Sequence, residues 1–203
     1  MERKNNILNS ENLNEKVSPR VELDDVCFER ELFDEIRKKG KNLINSKNRE
    51  GFLSEFVDLL LVVDKIKKSE SVTDNEISEI EGIKIVKEIG FDERIFLKWA
   101  TDDDNLDNGE AISLQTLITD GFFKRLKNKG VQFDFRKLGN IEFEEKLLEK
   151  VKESGDNLML VRNRKQFLSE FGDLLFLIDE VRKFKGITNV EIEQMETVKN
   201  RQK

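Results

Sequence analysis

The chain contains one stretch of sequence twice. Residues 26–81 match residues 141–196 without a gap, at a constant shift of 115 positions. The clearest matched segments are 48–60 and 163–175, which both begin with Asn-Arg and share Phe-Leu-Ser-Glu-Phe. A register this constant over so long a stretch cannot come from composition. It indicates an internal duplication, so the chain is expected to fold as two related units.

Each copy opens with a predicted helix, near residues 24–39 in the first copy and 140–154 in the second. Gly40 and Gly155 follow these segments. Because glycine commonly occupies the position just past a helix, the two glycines predict where the first helix of each copy ends.

Two further helices are predicted in each copy. The second runs near residues 48–68 and 163–184, where apolar residues recur at the 3.6-residue period. The third begins at Thr73 or Thr188, each followed three residues later by a glutamate. That spacing is the capping-box pattern of a helix N-terminus.

Three helices close little core by themselves, but two copies can pack together. The sequence therefore predicts an all-α fold in which two tandem helical units form one pseudo-symmetric bundle. The alternating segment 131–138 predicts a short strand outside that bundle. The predicted divisions are an N-terminal tail (1–16), the first copy (17–100), an acidic linker (101–112) and the second copy (113–203).

Composition removes several classes of function. The chain has no histidine, which excludes imidazole bases and histidine metal ligands, and its net charge of −6 comes from interspersed acidic and basic residues. Without a basic stripe, we expect no nucleic-acid binding. The longest purely apolar run, residues 59–63, is too short for a membrane span, and Cys27 is the only cysteine. We therefore expect a cytoplasmic protein.

Acidic pairs interrupt the apolar second helix of both copies. Glu55 and Asp58 stand at i and i+3 on one face, and Glu170 and Asp173 repeat them. Carboxylates that converge from two helices can hold a hard cation such as Mg²⁺. The alternative is that these acids face solvent or form salt bridges with nearby lysine and arginine, as acid pairs on charge-rich helices commonly do.

These residues resemble the MazG-type superfamily of all-α nucleoside triphosphate pyrophosphohydrolases, and its phosphoribosyl-ATP pyrophosphohydrolase-like branch in particular. That family carries E-x-x-E followed by E-x-x-D. Residues 89–97 are similar to its closing motif and residues 117–120 to its opening motif. The resemblance implies Mg²⁺ as cofactor, a nucleotide as partner, and attack of water at the phosphoanhydride. It assigns no residue as catalytic base.

The resemblance also implies site residues. The E-x-x-D ligands would be Glu55 and Asp58 in one copy, and Glu170 and Asp173 in the other. The E-x-x-E element is damaged: the first copy keeps Glu35 but has Lys38, and the second keeps Glu153 but has Lys150. A composite site shared by the copies is a further option. The resemblance also implies three phosphate contacts, which are Lys84, Arg94 and Lys199. The alternative is that these three are solvated surface side chains without a ligand.

Three functions stay open at this point. The first is a working Mg²⁺-dependent pyrophosphohydrolase. The second is a nucleotide-binding or regulatory relative whose catalysis is weakened by the lysines. The third is a helical interaction protein without a ligand. A homodimer of the whole chain is an option that the sequence also leaves open.

Overall fold

The structure is a computed structural model that describes residues 25–79, 82, 90–101 and 111–201. Most of these residues are helical, and a three-stranded sheet lies outside the helices, which confirms the predicted fold class. No helix within these ranges is both long and apolar enough to cross a membrane. The elements in chain order are α1 (Asp25–Asn45), α2 (Arg49–Ser69), α3 (which includes 74–79), β1 (Ile95–Thr101), β2 (Ala111–Ile118), α4 (Asp120–Lys129), β3 (Phe133–Lys137), α5 (Asn140–Leu160), α6 (Arg164–Lys185) and α7 (Asn189–Arg201).

The third helix of each copy starts as the sequence predicts. Thr73 donates its backbone N–H to Glu76 at 2.9 Å, and its hydroxyl accepts the N–H of Glu76 at 3.2 Å. Thr188 and Glu191 make the same two bonds at 2.9 and 3.3 Å. Both capping boxes are confirmed, because each pair satisfies two N–H groups that a helix start leaves unpaired.

The prediction that α1 and α5 end at Gly40 and Gly155 is wrong. Both helices continue past these glycines, which lie where the two helices cross. A Cβ on Gly40 would stand 2.7 Å from the Cα of Lys152, and one on Gly155 would stand 2.7 Å from the carbonyl oxygen of Phe33. The glycines are needed for close backbone approach rather than for helix termination.

Two arginines tie each copy to the other in the same way. Arg49 donates to Glu191 at 2.9 Å and to two carbonyl oxygens of the turn after α6, at 2.9 and 3.2 Å. Arg164 donates to Glu76 at 3.0 Å and to the turn after α2, at 2.6 and 3.5 Å. All partners are related by the shift of 115, so one contact is made twice, as across the twofold axis of a homodimer.

One hydrophobic core is shared by both copies. Phe52 stacks near Phe56, with ring centroids 6.4 Å apart, and Phe167 stacks near Phe171 at 5.5 Å. All four rings lie in the same buried cluster. Because each helix of the repeat turns its apolar face to this cluster, neither copy has a complete core of its own.

The sheet has the strand order β2-β1-β3, with β1 antiparallel to both neighbours. The strand predicted within residues 131–138 is confirmed as β3. Together with α4, the sheet covers a second, smaller apolar cluster. Thr101 and Ala111, at the two sides of the predicted linker, are paired in the β1–β2 hairpin. The predicted N-terminal tail and residues 102–110 lie outside the described residues.

One end of the interface between the copies carries like charges. Burial and the nearby charge of Glu29 raise the pKa of Glu70, although Arg164 opposes the shift. At the matching end of the second copy the residue is Lys185, whose Nζ donates to Glu144 at 2.7 Å. The Lys185 end therefore has one carboxylate and one ammonium, whereas the Glu70 end has two neighbouring carboxylates, with the Arg164 guanidinium 3.6 Å from Glu70.

Replacing Gly155 by alanine is expected to destabilise the fold by about 2 kcal/mol, because the new methyl group overpacks the helix crossing. Chemical denaturation in urea would measure the loss. Gly139→Ala is the matched control, since a Cβ at Gly139 meets no atom within 4 Å. Equal stability of the two variants would contradict the close packing assigned to Gly155.

Glu70→Gln is expected to raise the urea midpoint at pH 7. The pKa of Glu70 is raised in the folded state, so the energetic penalty is absent below its ordinary pKa of 4.5 and grows as the pH rises through the folded value. The gain should therefore vanish near pH 4. Glu144→Gln, which breaks the pair with Lys185, should have the opposite sign at pH 7. A gain that persists at pH 4 would rule out charge as its cause.

Candidate functional site

In the first copy, the two carboxylates of the E-x-x-D motif converge on one ammonium group. Lys39, on α1, places its Nζ 3.1 Å from Glu55 Oε2 and 2.9 Å from Asp58 Oδ2. The pair thus has the geometry to hold a single positive charge between two helices. In this copy the Lys39 side chain supplies that positive charge.

A second lysine completes the first-copy cluster and comes from the other copy. Lys199, on α7, donates to Asp58 at 2.6 Å, while Asn42 donates to Glu55 at 3.0 Å. Burial opposes ionisation of Asp58, but the bonds from Lys199 and Lys39 outweigh it and lower the pKa of this carboxyl. Asp58 is therefore ionised at neutral pH, and both acids already accept hydrogen bonds from the chain itself.

Glu35 does not join this cluster. It accepts a hydrogen bond from Lys38 at 2.7 Å on the surface of α1, and Lys38 also lies 3.1 Å from Asp34. The lysine that replaces the second acid of the motif thus faces outward. The lysine that neutralises Glu55 and Asp58 is its neighbour, Lys39.

The corresponding acids of the second copy line an open cleft of about 420 Å³. Glu153 on α5 and Glu170 and Asp173 on α6 face it, with Lys150 and Asn157 beside them. The rest of the lining is mostly apolar, apart from Thr116 and Thr119, and we call it the apolar wall; it comes from the β1–β2 hairpin, α4, α6 and the segment before β1. Its residues are Phe91, Leu97, Leu114, Leu117, Ile118, Phe122, Phe176 and Leu177.

The decisive difference between the copies is at one helical position. Where the first copy has Lys39, the second has Ser154, which is buried and donates its hydroxyl to the carbonyl oxygen of Lys150 at 3.0 Å. No cation replaces Lys39 at Glu170, which accepts no hydrogen bond from any residue in the described ranges. The acid pair thus bonds a lysine of the first helix in one copy, whereas the equivalent helical position of the other copy is a serine.

Lys150 is the one cationic side chain among the described residues that line this cleft. Burial lowers its pKa, while the charges of Glu153 and Asp173 act in the opposite direction. One ammonium against three carboxylates leaves the cleft with a net negative charge. An anionic ligand would therefore need a further cation to bind there.

Asp120 holds in place the loop that carries Phe91 into the cleft. Its buried carboxylate accepts the backbone N–H groups of Asp92 and Glu93, at 2.9 and 3.0 Å. Burial raises the pKa of Asp120, and these two bonds act against the rise. These two bonds tie the loop to the start of α4.

The predicted phosphate contacts are found in different places. Arg94 lies in a separate cavity of about 450 Å³, where its guanidinium stands 5.2 Å from the ring of Phe143 and 5.5 Å from that of Phe184. Lys199 binds Asp58 of the first copy rather than the cleft of its own copy. Lys84 lies outside the described residues.

Sequence reasoning missed the residues that distinguish the copies. Lys39 was not singled out, since one lysine among many on a charged helix gives no local signal. Asn42 and Asn157 recur in the repeat, and that recurrence was a usable sign of a site. The apolar wall could not be found from periodicity, because it joins segments distant in sequence.

Within the described ranges, no three acidic or cysteine side chains come close enough to enclose a metal ion by themselves. Comparisons with models of protein families, with curated proteins and with solved structures found no match. The function of this chain must therefore be inferred from the two acid pairs and the cleft.

Lys199→Met is expected to loosen α7, because the helix has no fully buried residue and is held to α2 partly by the bond to Asp58. Loss of this charge-assisted bond should cost about 1 kcal/mol. Hydrogen exchange of the α7 amides would show the change. Lys199→Arg, which keeps the charge, is the control, and unaltered protection in Lys199→Met would refute the role of this contact.

Proposed function

We propose that this chain is a nucleotide pyrophosphohydrolase-like protein with a single open site, the cleft of the second copy. Its ligand would be a nucleotide whose phosphates enter with Mg²⁺ and whose base lies against the apolar wall. The first-copy acid pair would serve structure only. This proposal combines the resemblance of the sequence with the asymmetry between the two acid pairs.

The observation that carries the proposal is the place of the Lys39 ammonium. It stands between Glu55 and Asp58 as a cation would, which indicates that an E-x-x-D pair in this scaffold accommodates one positive charge. The residue at the position equivalent to Lys39 is Ser154, and Glu170 accepts no hydrogen bond within the described residues. A carboxylate that lines a cleft without such a lysine is suited to an external cation.

The donor set of the second copy fits a metal carried by phosphate better than a bare ion. Mg²⁺ commonly uses one or two protein carboxylates and completes its shell with water and phosphate oxygens. Glu170 and Asp173 would supply those carboxylates, with Glu153 nearby. When bound, the ion would neutralise phosphate charge and lower the pKa of a water molecule.

The remaining residues of the cleft would position the nucleotide. Phe122 and Phe176 give the wall aromatic surface against which a base can pack. Asn157 occupies the position equivalent to Asn42, whose amide holds Glu55, but it makes no hydrogen bond to Glu170 and lines the cleft instead. The cleft volume of about 420 Å³ is within the range of small-molecule sites.

A second candidate function is nucleotide binding without turnover. Lys150 favours this second function, because it occupies a position where the MazG-type family has an acid. Its positive charge would oppose the binding of a divalent ion. A cytoplasmic location is part of either proposal, since a lone cysteine fits a reducing compartment. Neither proposal requires nucleic-acid or membrane binding.

Pyrophosphate release from a panel of nucleoside triphosphates, with and without Mg²⁺, would test the proposal. Glu170→Gln is expected to lower turnover at least about tenfold, because it removes a charge that would face the metal. Glu55→Gln is the matched control and should leave turnover unchanged. Ser154→Lys, which copies Lys39 into the second copy, should abolish it.

Thermal unfolding with each nucleotide separates the remaining outcomes. Stabilisation without pyrophosphate release would favour the second candidate function. Stabilisation that survives Glu170→Gln and Ser154→Lys would place the nucleotide elsewhere. If no nucleotide is hydrolysed and none stabilises the protein, both proposals are refuted and a helical interaction protein remains.

A further inference from the structure

We propose that the free edge of β3 (Phe133–Lys137) is a dimer interface, where β3 of a second copy of this chain adds antiparallel about a twofold axis at Phe135. The two three-stranded sheets then join into one continuous sheet. The inference does not depend on the proposed function, because none of the β3 residues lines the second-copy cleft.

Among the described residues, β3 has a strand partner on one side only. In the sheet order β2-β1-β3, its one neighbour is β1. The residues that flank β3 both bond the β1 side: Gln132 accepts the N–H of Thr101 at 2.8 Å, and Leu138 donates to Arg94 at 2.9 Å. Because backbone groups alternate in direction along a strand, every second residue between these two also turns to β1.

The other three residues of β3 present their N–H and C=O groups to the free edge. They are Phe133, Phe135 and Lys137. When Phe135 lies opposite Phe135 of the second copy, these residues bond only one another: Phe135 bonds its equivalent, and Phe133 bonds Lys137. One register therefore satisfies all the outward backbone groups, and it has the twofold symmetry of a homodimer.

The charged side chains of β3 select this register. Asp134 falls opposite Arg136 of the second copy, at a pair without backbone bonds, where facing side chains are closest. Asp134 also bonds Lys98 and Arg136 also bonds Glu142, yet the side chains of Asp134 and Arg136 remain 44% and 42% exposed. A slip of two residues, which keeps the outward groups paired, sets either Asp134 or Arg136 against its own equivalent. Like charges oppose both of those registers.

Phe135 supplies the apolar part of the contact. It is 37% exposed, although its ring packs edge-on against Phe123 with the centroids 4.7 Å apart. Pairing sets this ring beside its equivalent on the same face of the joined sheet. Aromatic pairs on neighbouring strands contribute up to about 1 kcal/mol. Because two strands of five residues bury little area, we expect a reversible dimer.

Sedimentation equilibrium of the full chain, from micromolar to millimolar concentration, would test the proposal. Asp134→Arg is expected to weaken the dimer at least about tenfold, because two arginines then face each other in both cross-strand pairs. Arg136→Asp should weaken it likewise. The double variant Asp134→Arg/Arg136→Asp restores opposite charges and should dimerise again. Since that variant lacks the bonds to Lys98 and Glu142, its recovery cannot come from ion pairs within one copy.

Amide hydrogen exchange would locate the contact. The N–H groups of Phe133, Phe135 and Lys137 should become protected as the concentration rises, whereas that of Arg136, which turns to β1, should be protected throughout. A monomer at every concentration overturns the proposal, as does a dimer that Asp134→Arg leaves unchanged or whose protection lies elsewhere. Urea denaturation of each variant would verify the fold. If the charge variants do not fold, Phe135→Lys, which sets two ammonium groups against each other at the axis, should also prevent dimerisation.

Discussion

The close crossing of α1 and α5 is the constraint on which the rest of this structure depends. Gly40 and Gly155 let the two backbones approach to distances that a side chain would prevent. Within each copy, the second helix and its acid pair pack against the first helix. Arg49 and Arg164 reach across to the opposite copy, so the packing of one unit fixes the ends of the other.

A duplicated chain can change one copy without changing the other, and the acid pairs illustrate this. Both copies kept glutamate and aspartate at the same helical positions, yet one pair contacts Lys39 and the other faces a cleft. In a homodimer of identical subunits, each substitution would act on both sites. Duplication removes that restriction, because Lys39 and Ser154 are encoded separately.

Much of the fold could be predicted from the sequence, because its signals are local or repeated. The capping glutamates after Thr73 and Thr188, and the strand in 131–138, depend on neighbours within a few residues. The glycine prediction failed for an instructive reason: a glycine that permits helix crossing has the same local signature as one that ends a helix. Only the facing helix distinguishes the two.

The candidate site was less predictable, because its character depends on which lysine reaches which acid. Lys38 and Lys39 are adjacent in sequence but lie on different sides of α1, so one pairs on the surface and the other enters the cluster. An acid pair conserved between the copies is therefore not evidence for two metal sites. What decides the chemistry is whether the chain supplies the opposing charge, as Lys39 does, or leaves it to a ligand.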